Sequence, residues 1–279
     1  RELKLKETLT GGGMYEAVHY SFFSPADLKL FRYPEGSEAL RAIRILNPIS
    51  EELSLMRTVL SPSMANAVMR NQKAGNLSGR LFELAKVFIP KSLPLTEYPA
   101  ERAHLAFAFF GKEESFFTLK GALDLAAESL HVKFRYEASS EPFTHPYQTA
   151  AVYVGDVKVG YLGKLAYDIA GELNLRTDAY LAELDLDTIE SLPHEPVYFT
   201  PLPKFPEVQR DLALVMDKAI SCEQVVNLIQ GCSPLIREVK LFDVYEGTPI
   251  PPTKKSLAFT LTFRPEEKAF TPEELDKLT

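Results

Sequence analysis

Five prolines, Pro193, Pro196, Pro201, Pro203 and Pro206, fall within fourteen residues, and this cluster constrains the fold more than any other feature of the sequence. Proline fixes φ and removes a backbone donor, so neither a helix nor a central strand runs through such a stretch. Proline at this density favours an extended, semi-rigid connector. The 279-residue chain therefore reads as two domains, residues 1–192 and 207–279, joined by a proline-rich linker over 193–206.

The region before the linker mixes both hydrophobic periods. Residues 1–9 have helical composition and stop at Gly11-Gly12-Gly13. Residues 15–23 alternate like a strand. Ser24, Pro25 and Asp27 supply an N-cap, a first-turn proline and a capping acid, so a helix follows through Phe31. Ile43 and Ile45 start a short strand that stops at Asn47-Pro48, and Ser61-Pro62 caps a helix running to about Gln72. Residues 80–88 read as a strand. Residues 103–110 are almost wholly apolar, the mark of a strand buried on both faces. A helix over 119–130, a hairpin turning at Gly155-Asp156, a helix over 165–173 and a strand over 179–186 complete the region. The expected class is α+β, with a largely antiparallel sheet flanked by helices.

After the linker the order is strand, helix, strand, strand, helix. Over 209–216, Leu212, Leu214 and Met216 face one way, and Asp211, Ala213 and Val215 the other. Over 257–263, Leu257, Phe259, Leu261 and Phe263 oppose Ala258, Thr260 and Thr262. The stretch V-K-L-F-D-V-Y-E-G over 239–247 is a strand with Asp243 and Tyr245 on the face opposite Phe242 and Val244. Ser221 and Gln224 cap the first helix, whose stripe is Cys222, Val225, Val226 and Ile229. Thr271-Pro272-Glu273-Glu274 starts the second. This is a ferredoxin-like βαββα(β) order lacking its last strand. The strand over 209–216 is then an unprotected edge, and a chain extended by one strand is expected to be more stable. A sheet with one greasy face and one small, polar face is open on one side, and the open side is where a ligand belongs.

Charge and chemistry narrow the function. The net charge is −7, and the last 81 residues carry 10 Lys and Arg against 12 Asp and Glu. That argues against generic DNA binding, which rests on a basic footprint. Any RNA role must use a local patch and stacking. No apolar run reaches membrane length and no signal peptide is visible, which with only two cysteines, Cys222 and Cys232, points to the cytoplasm. His19, His104, His131, His145 and His194 have no metal-ligand spacing, so no metal site is expected. There is no phosphate-binding glycine loop and no nucleophile elbow, and Asp185 and Asp187 read as a strand end near solvent. Nothing assembles a nucleophile, a base and an oxyanion donor, so the chain reads as a binding and scaffolding protein.

Two separated stretches carry a combined set of motifs. One holds Leu46-Asn47-Pro48-Ile49-Ser50, Ser54-Leu55-Met56-Arg57-Thr58, Leu60, Pro62, Arg80-Leu81-Phe82-Glu83-Leu84 and Val87-Phe88. The other holds Lys204-Phe205-Pro206, Arg210-Asp211-Leu212-Ala213, Leu241-Phe242-Asp243-Val244-Tyr245-Glu246-Gly247 and Lys254-Lys255-Ser256-Leu257-Ala258-Phe259. With Ser21-Phe22, Leu119-Lys120-Gly121 and His145-Pro146 in support, these motifs resemble the beta subunit of bacterial phenylalanyl-tRNA synthetase, in the family's order over essentially the whole chain.

The resemblance implies that the first domain is a class II synthetase-like module without its chemistry. Active members of that class hold ATP with an arginine just beyond the strand matching 80–88, where this chain has Ile89-Pro90. Gly160-Tyr161-Leu162-Gly163 likewise lacks the arginine of the third class motif. No catalytic residue and no cofactor are expected in this part; the parent enzyme uses ATP and Mg2+ in a catalytic alpha subunit, in an alpha2beta2 assembly. Asn47 and Arg57 are implied near the subunit interface. The second domain resembles the ferredoxin-fold anticodon-binding domain. By resemblance Ala213, Asp243, Tyr245 and Ser256 meet the anticodon of the phenylalanine tRNA, with Arg210, Lys254, Lys255 and Arg264 as phosphate partners. This sequence departs from the family at Phe116-Phe117, where Trp-Phe is usual, and at Tyr147-Gln148, where Gly-Arg is usual. The rival reading is a regulatory protein whose ferredoxin-like domain binds a small molecule.

Overall fold

The computed structural model of the chain describes residues 1–199, 201–202, 204–265 and 270. It divides into two compact units, Arg1–Val197 and Tyr198–Thr279, with the division inside the proline-rich stretch. The helix foreseen from Thr271 lies outside the described residues.

Unit 1 contains β1 (Tyr15–Glu16), β2 (Phe22–Phe23), β3 (Leu55–Met56), β4 (Gly79–Ile89), β5 (Ala100–Phe110), β6 (Phe134–Ala138), β7 (Thr144–Val154), β8 (Val157–Leu165) and β9 (Ala179–Asp185). Its helices are α1 (Glu2–Gly11), α2 (Pro25–Phe31), α3 (Ser61–Lys73), α4 (Phe116–Leu130), α5 (Tyr167–Glu172) and α6 (Leu186–Ser191). The main sheet runs β1-β4-β5-β9-β8-β7-β6, antiparallel except for β1 beside β4. Helices cover both faces, which is why β5 is nearly continuous apolar sequence. Its Leu105, Phe107 and Phe109 pack with Leu5 and Leu9 of α1 and with Leu119 and Leu123 of α4. Ala106, Ala108 and Phe110 pack on the other side with Met64, Ala65 and Val68 of α3. Each fully buried large side chain contributes about 1.5–3 kcal/mol.

Several local expectations fail here, two of them because a distant buried carboxylate outbids the local signal. The strand foreseen over 15–23 is split into β1 and β2, because buried Glu83 draws in the backbone N–H of His19 (3.2 Å) and its ring Nδ1 (2.7 Å). Ser61 does not cap α3. Leu60 is the N-cap, and Glu183, far along the chain on β9, accepts from the N–H groups of Leu60 and Ser61 and from the Ser61 hydroxyl. The strand over Ile43 and Ile45 shrinks to one bridge, Arg44 with Leu55. Asp185, read as a solvated strand end, caps the unforeseen α6 by accepting from the Thr188 N–H. The linker's first residues are anchored: the Leu130 carbonyl stands 2.7 Å from His194 Nδ1, and the Glu195 N–H donates to His131.

Unit 2 contains β10 (Val208–Asp217), α7 (Cys222–Cys232), β11 (Ile236–Tyr245) and β12 (Lys254–Phe263), with sheet order β10-β12-β11. The first strand thus pairs with the third, as a ferredoxin-like crossover requires. A capping box of Ser221 and Gln224 starts α7, whose Val225 and Ile229 pack on Leu257, Phe259, Leu261 and Phe263. Cys222 packs at the edge of this core, and Cys232 is exposed. Among the described residues β10 pairs with β12 alone.

Candidate nucleic-acid interface

The face of the unit 2 sheet opposite α7 is set by register. In an antiparallel sheet directly paired residues project to one side. Ala213 of β10 pairs with Ala258 of β12, and Ala258 with Asp243 of β11, making one row. The next row is Val215, Ser256 and Tyr245; on the other side lies Asp211, Thr260 and Lys240. Strands about 4.8 Å apart make each row roughly 10 Å wide. The row through Ala213 and Ala258 is a shallow trough, because both side chains end at Cβ. Asp243 closes it at one end, and the larger Ser256 and Tyr245 flank it.

A bulge in β11 creates this arrangement. Strict alternation would put Val239 and Leu241, which belong with the core, on the same face as Asp243 and Tyr245. Instead the register shifts between Leu241 and Asp243: Leu241 pairs with Phe259, Asp243 with Ala258, and Phe242 is the extra residue. The phase inverts there, so Val239 and Leu241 join the core while Asp243 and Tyr245 stand on the open face. Phe242 and Val244 are correspondingly half exposed, at 55% and 53%. Alternation alone makes 239–247 one regular strand and does not show the bulge. Conflict between the two halves of its hydrophobic pattern was the available signal.

The polar groups of the trough differ in how far they are engaged. Asp243 is exposed and has no hydrogen-bond or ion-pair partner among the described residues. Tyr245 is 46% exposed, and its hydroxyl donates to the Thr248 carbonyl at 2.8 Å. Asp211, by contrast, is occupied by the Thr260 hydroxyl at 2.8 Å. Ala258 and Val215 belong to the same surface and were not singled out from sequence. Both follow from alternation once the register is known.

The four candidate phosphate contacts are not equivalent. Lys254 is exposed, two residues before Ser256 on the open side, with no ion pair among the described residues. Arg210 pairs in register with buried Leu261, on the face that α7 covers, and donates to the Gln209 carbonyl. Lys255 pairs with Met216 on that same face and donates to the Lys218 carbonyl. Arg264 is engaged by Glu207 through Nε at 2.7 Å and Nη2 at 2.6 Å. The geometry therefore assembles Ala213, Asp243, Tyr245, Ser256 and Lys254 on one face, puts Arg210 and Lys255 on the other, and leaves Arg264 engaged by Glu207.

In unit 1 the two residues proposed for an interface also separate. Arg57 is 4% exposed, so its guanidinium is held inside unit 1 as an internal anchor. It donates through Nη1 to Glu83 at 3.0 Å and through Nε to the Lys86 carbonyl at 2.8 Å. Burial pushes the Glu83 carboxyl up, but the His19 hydrogen bond and the charges of His19 and Arg57 outweigh it, and its pKa falls below the ordinary value. Asn47 is exposed beside Leu46 (96% exposed) and Ile49 (79%), an apolar knuckle on the surface.

A second buried cluster joins Glu183, His104, Ser61 and Tyr161. Glu183 accepts from Ser61 Oγ at 2.5 Å and stands 2.7 Å from His104 Nδ1, and Ser61 Oγ also bonds the Tyr161 hydroxyl. Burial opposes charge on both members. Their mutual hydrogen bond prevails, lowering the pKa of Glu183 and raising that of His104. The carboxylate holds the serine and the helix end, so this is bracing, not the serine–imidazole contact of a nucleophile. Among the described residues no three His, Cys, Asp or Glu side chains gather as a metal site, and no helix is long and apolar enough to cross a membrane.

The sheet and helices of unit 1 define a synthetase-type fold. Pyrrolysyl-tRNA synthetase from Desulfitobacterium hafniense superposes with a TM-score of 0.53 at 15% identity, over 67% of this chain and 64% of that one. Residues 1–186 match the family described as phenylalanyl tRNA synthetase beta chain CLM domain, and residues 203–279 match the ferredoxin-fold anticodon binding domain. The chain belongs to the phenylalanyl-tRNA synthetase beta chain family. The phenylalanine–tRNA ligase beta subunit of Clostridium tetani is 35% identical over 99% of this chain, and that of Moorella thermoacetica 34% over 97%. The chain spans about a third of the length of these relatives, 35% in each case.

Proposed function

We propose that this chain is the part of a phenylalanine–tRNA ligase beta subunit that reads the tRNA anticodon and holds the catalytic partner. The observation that carries the reading is the open row of Ala213, Ala258 and Asp243 beside Val215, Ser256 and Tyr245, in a domain of the anticodon-binding kind. The physics fits a splayed single-stranded loop. Tyr245 stacks on a base, Asp243 accepts from a base amino group, and Ser256 gives or takes one hydrogen bond. The alanines let the base approach, and Lys254 neutralises phosphate. The rival small-molecule reading has no enclosed pocket here to favour it, since the trough lies open across the sheet.

The parent enzyme joins phenylalanine to its tRNA with ATP and Mg2+, in an alpha2beta2 assembly in the cytoplasm, and the chemistry resides in the alpha subunit. Unit 1 supports a scaffolding part: its buried acids are spent on Arg57, His19, His104 and the end of α3. The exposed knuckle of Leu46, Asn47 and Ile49 is the surface offered to the alpha subunit. Co-expression of the full-length beta subunit with a catalytic alpha subunit, scored by tRNA charging, tests the assignment. Pyrophosphate exchange by the beta subunit alone would overturn it. Binding of the phenylalanine anticodon stem-loop that ignores salt and tolerates Asp243→Ala would overturn the anticodon role.

A further inference from the structure

We infer that Gly247 is a positioning residue that sets the Tyr245 ring for stacking; this rests on the anticodon reading above. Tyr245 ends β11, and the chain turns immediately, with the Ile250 N–H donating to the Gly247 carbonyl at 2.6 Å. The ring folds back over this turn, where its hydroxyl donates to the Thr248 carbonyl at 2.8 Å. The space it occupies is the space a side chain at 247 would need. A Cβ there would stand 2.9 Å from the Tyr245 hydroxyl oxygen, 3.1 Å from Cζ and 3.6 Å from Cε1.

The Gly247 backbone lies outside the left-handed region, so alanine is conformationally acceptable. The three atoms nearest its methyl all belong to the Tyr245 side chain. The closest conflict is therefore with the orientation of that ring. Absence of a side chain at 247 lets the ring lie against the turn and be latched by Thr248, while nearly half of the residue stays exposed beside Ser256. A ring held by one hydrogen bond and one close contact has less rotamer freedom to lose when a base lands on it.

The test uses the full chain and the phenylalanine anticodon stem-loop carrying 2-aminopurine in the anticodon. In the free protein, selectively labelled tyrosine places the Tyr245 ring resonance, identified by its loss in Tyr245→Ala. Gly247→Ala is expected to move that resonance while the unfolding midpoint stays near wild type. With RNA, Tyr245→Ala is expected to weaken binding roughly 5- to 150-fold, the span of one lost base stack. Gly247→Ala should weaken it at least about fivefold and reduce 2-aminopurine quenching. Because both changes act through one ring, the double variant should bind no more weakly than Tyr245→Ala alone. Tyr245→Phe, which opens the latch from the ring's side without touching the turn, should weaken binding in the same direction. If Gly247→Ala binds and quenches as wild type while Tyr245→Ala is weakened, the positioning inference is wrong and the anticodon reading stands. If Tyr245→Ala binds as wild type, the stacking reading fails and this inference falls with it.

Discussion

Replacing Glu183 by glutamine should cost unit 1 about 3–5 kcal/mol, a large share of a typical domain's stability. The carboxylate receives four donors. One oxygen takes the Leu60 N–H at 2.9 Å and His104 at 2.7 Å; the other takes the Ser61 N–H at 2.9 Å and the Ser61 hydroxyl at 2.5 Å. Glutamine keeps one carbonyl oxygen and can satisfy one of these pairs. Its amide nitrogen then points donor hydrogens at the other pair, so two charge-assisted bonds of about 1.5–3 kcal/mol each are lost. The site is buried, so water does not repair the loss. The start of α3, with Ser61, Pro62, Met64 and Ala65 all buried, loses its cap. Urea unfolding followed by far-ultraviolet circular dichroism measures the effect. Glu172→Gln, which removes an exposed partner of Arg32, serves as a control expected to change stability by no more than about 1 kcal/mol. A Glu183→Gln loss below about 1 kcal/mol would refute the reasoning that this carboxylate of β9 caps α3.

Other outcomes follow from the same geometry. His104 has its pKa raised in the fold above 6.5, so its contribution is fully present below 6.5 and is lost as pH rises through the folded value. Glu183 has its pKa lowered below 4.5, so its contribution is present above 4.5 and fades as pH falls through the folded value. The unfolding midpoint of unit 1 should thus decline on the alkaline side, and His104→Asn should flatten that limb; an unchanged slope would contradict the pairing. Arg57→Met removes one of the two charged partners of buried Glu83 and should cost about 3–5 kcal/mol in calorimetry, whereas a surface role for Arg57 predicts almost none. Leu46→Asp with Ile49→Asp should abolish co-purification with the alpha subunit without moving the unfolding midpoint. Retained co-purification would place the interface elsewhere. Lys254→Ala should lower the salt slope of stem-loop binding by about one ion, and Arg264→Ala should leave it unchanged.

Much of the fold was legible because its signals are local. The wholly apolar β5, the Gly155-Asp156 hairpin turn and the capping boxes of α2 and α7 each act within a few residues. The open-face residues Ala213, Asp243, Tyr245 and Ser256 were also within reach, three of them from alternation and resemblance together. Of the phosphate candidates only Lys254 stands free on the open face, because charge type says nothing about which face a residue occupies. Arg210 and Lys255 sit one residue out of phase with the trough, and Arg264 is held by Glu207. The place of Arg57 was hidden for a related reason: a buried arginine looks like a surface arginine until its acid is located.

The sequence by itself determined the two-part division, the element order and the alternation that gives unit 2 one greasy and one small, polar face. These depend on φ restriction, turn chemistry and side-chain period, all short-range properties of the chain. Tertiary structure alone decided where the phase of β11 breaks. The bulge is needed because Val239 and Leu241 must reach the core under α7 while Asp243 and Tyr245 must not, a conflict that exists only once β12 is paired alongside. Tertiary structure also decided that Glu183 starts α3, more than a hundred residues away in the chain, because a buried carboxylate takes whichever donors the packed fold brings within reach.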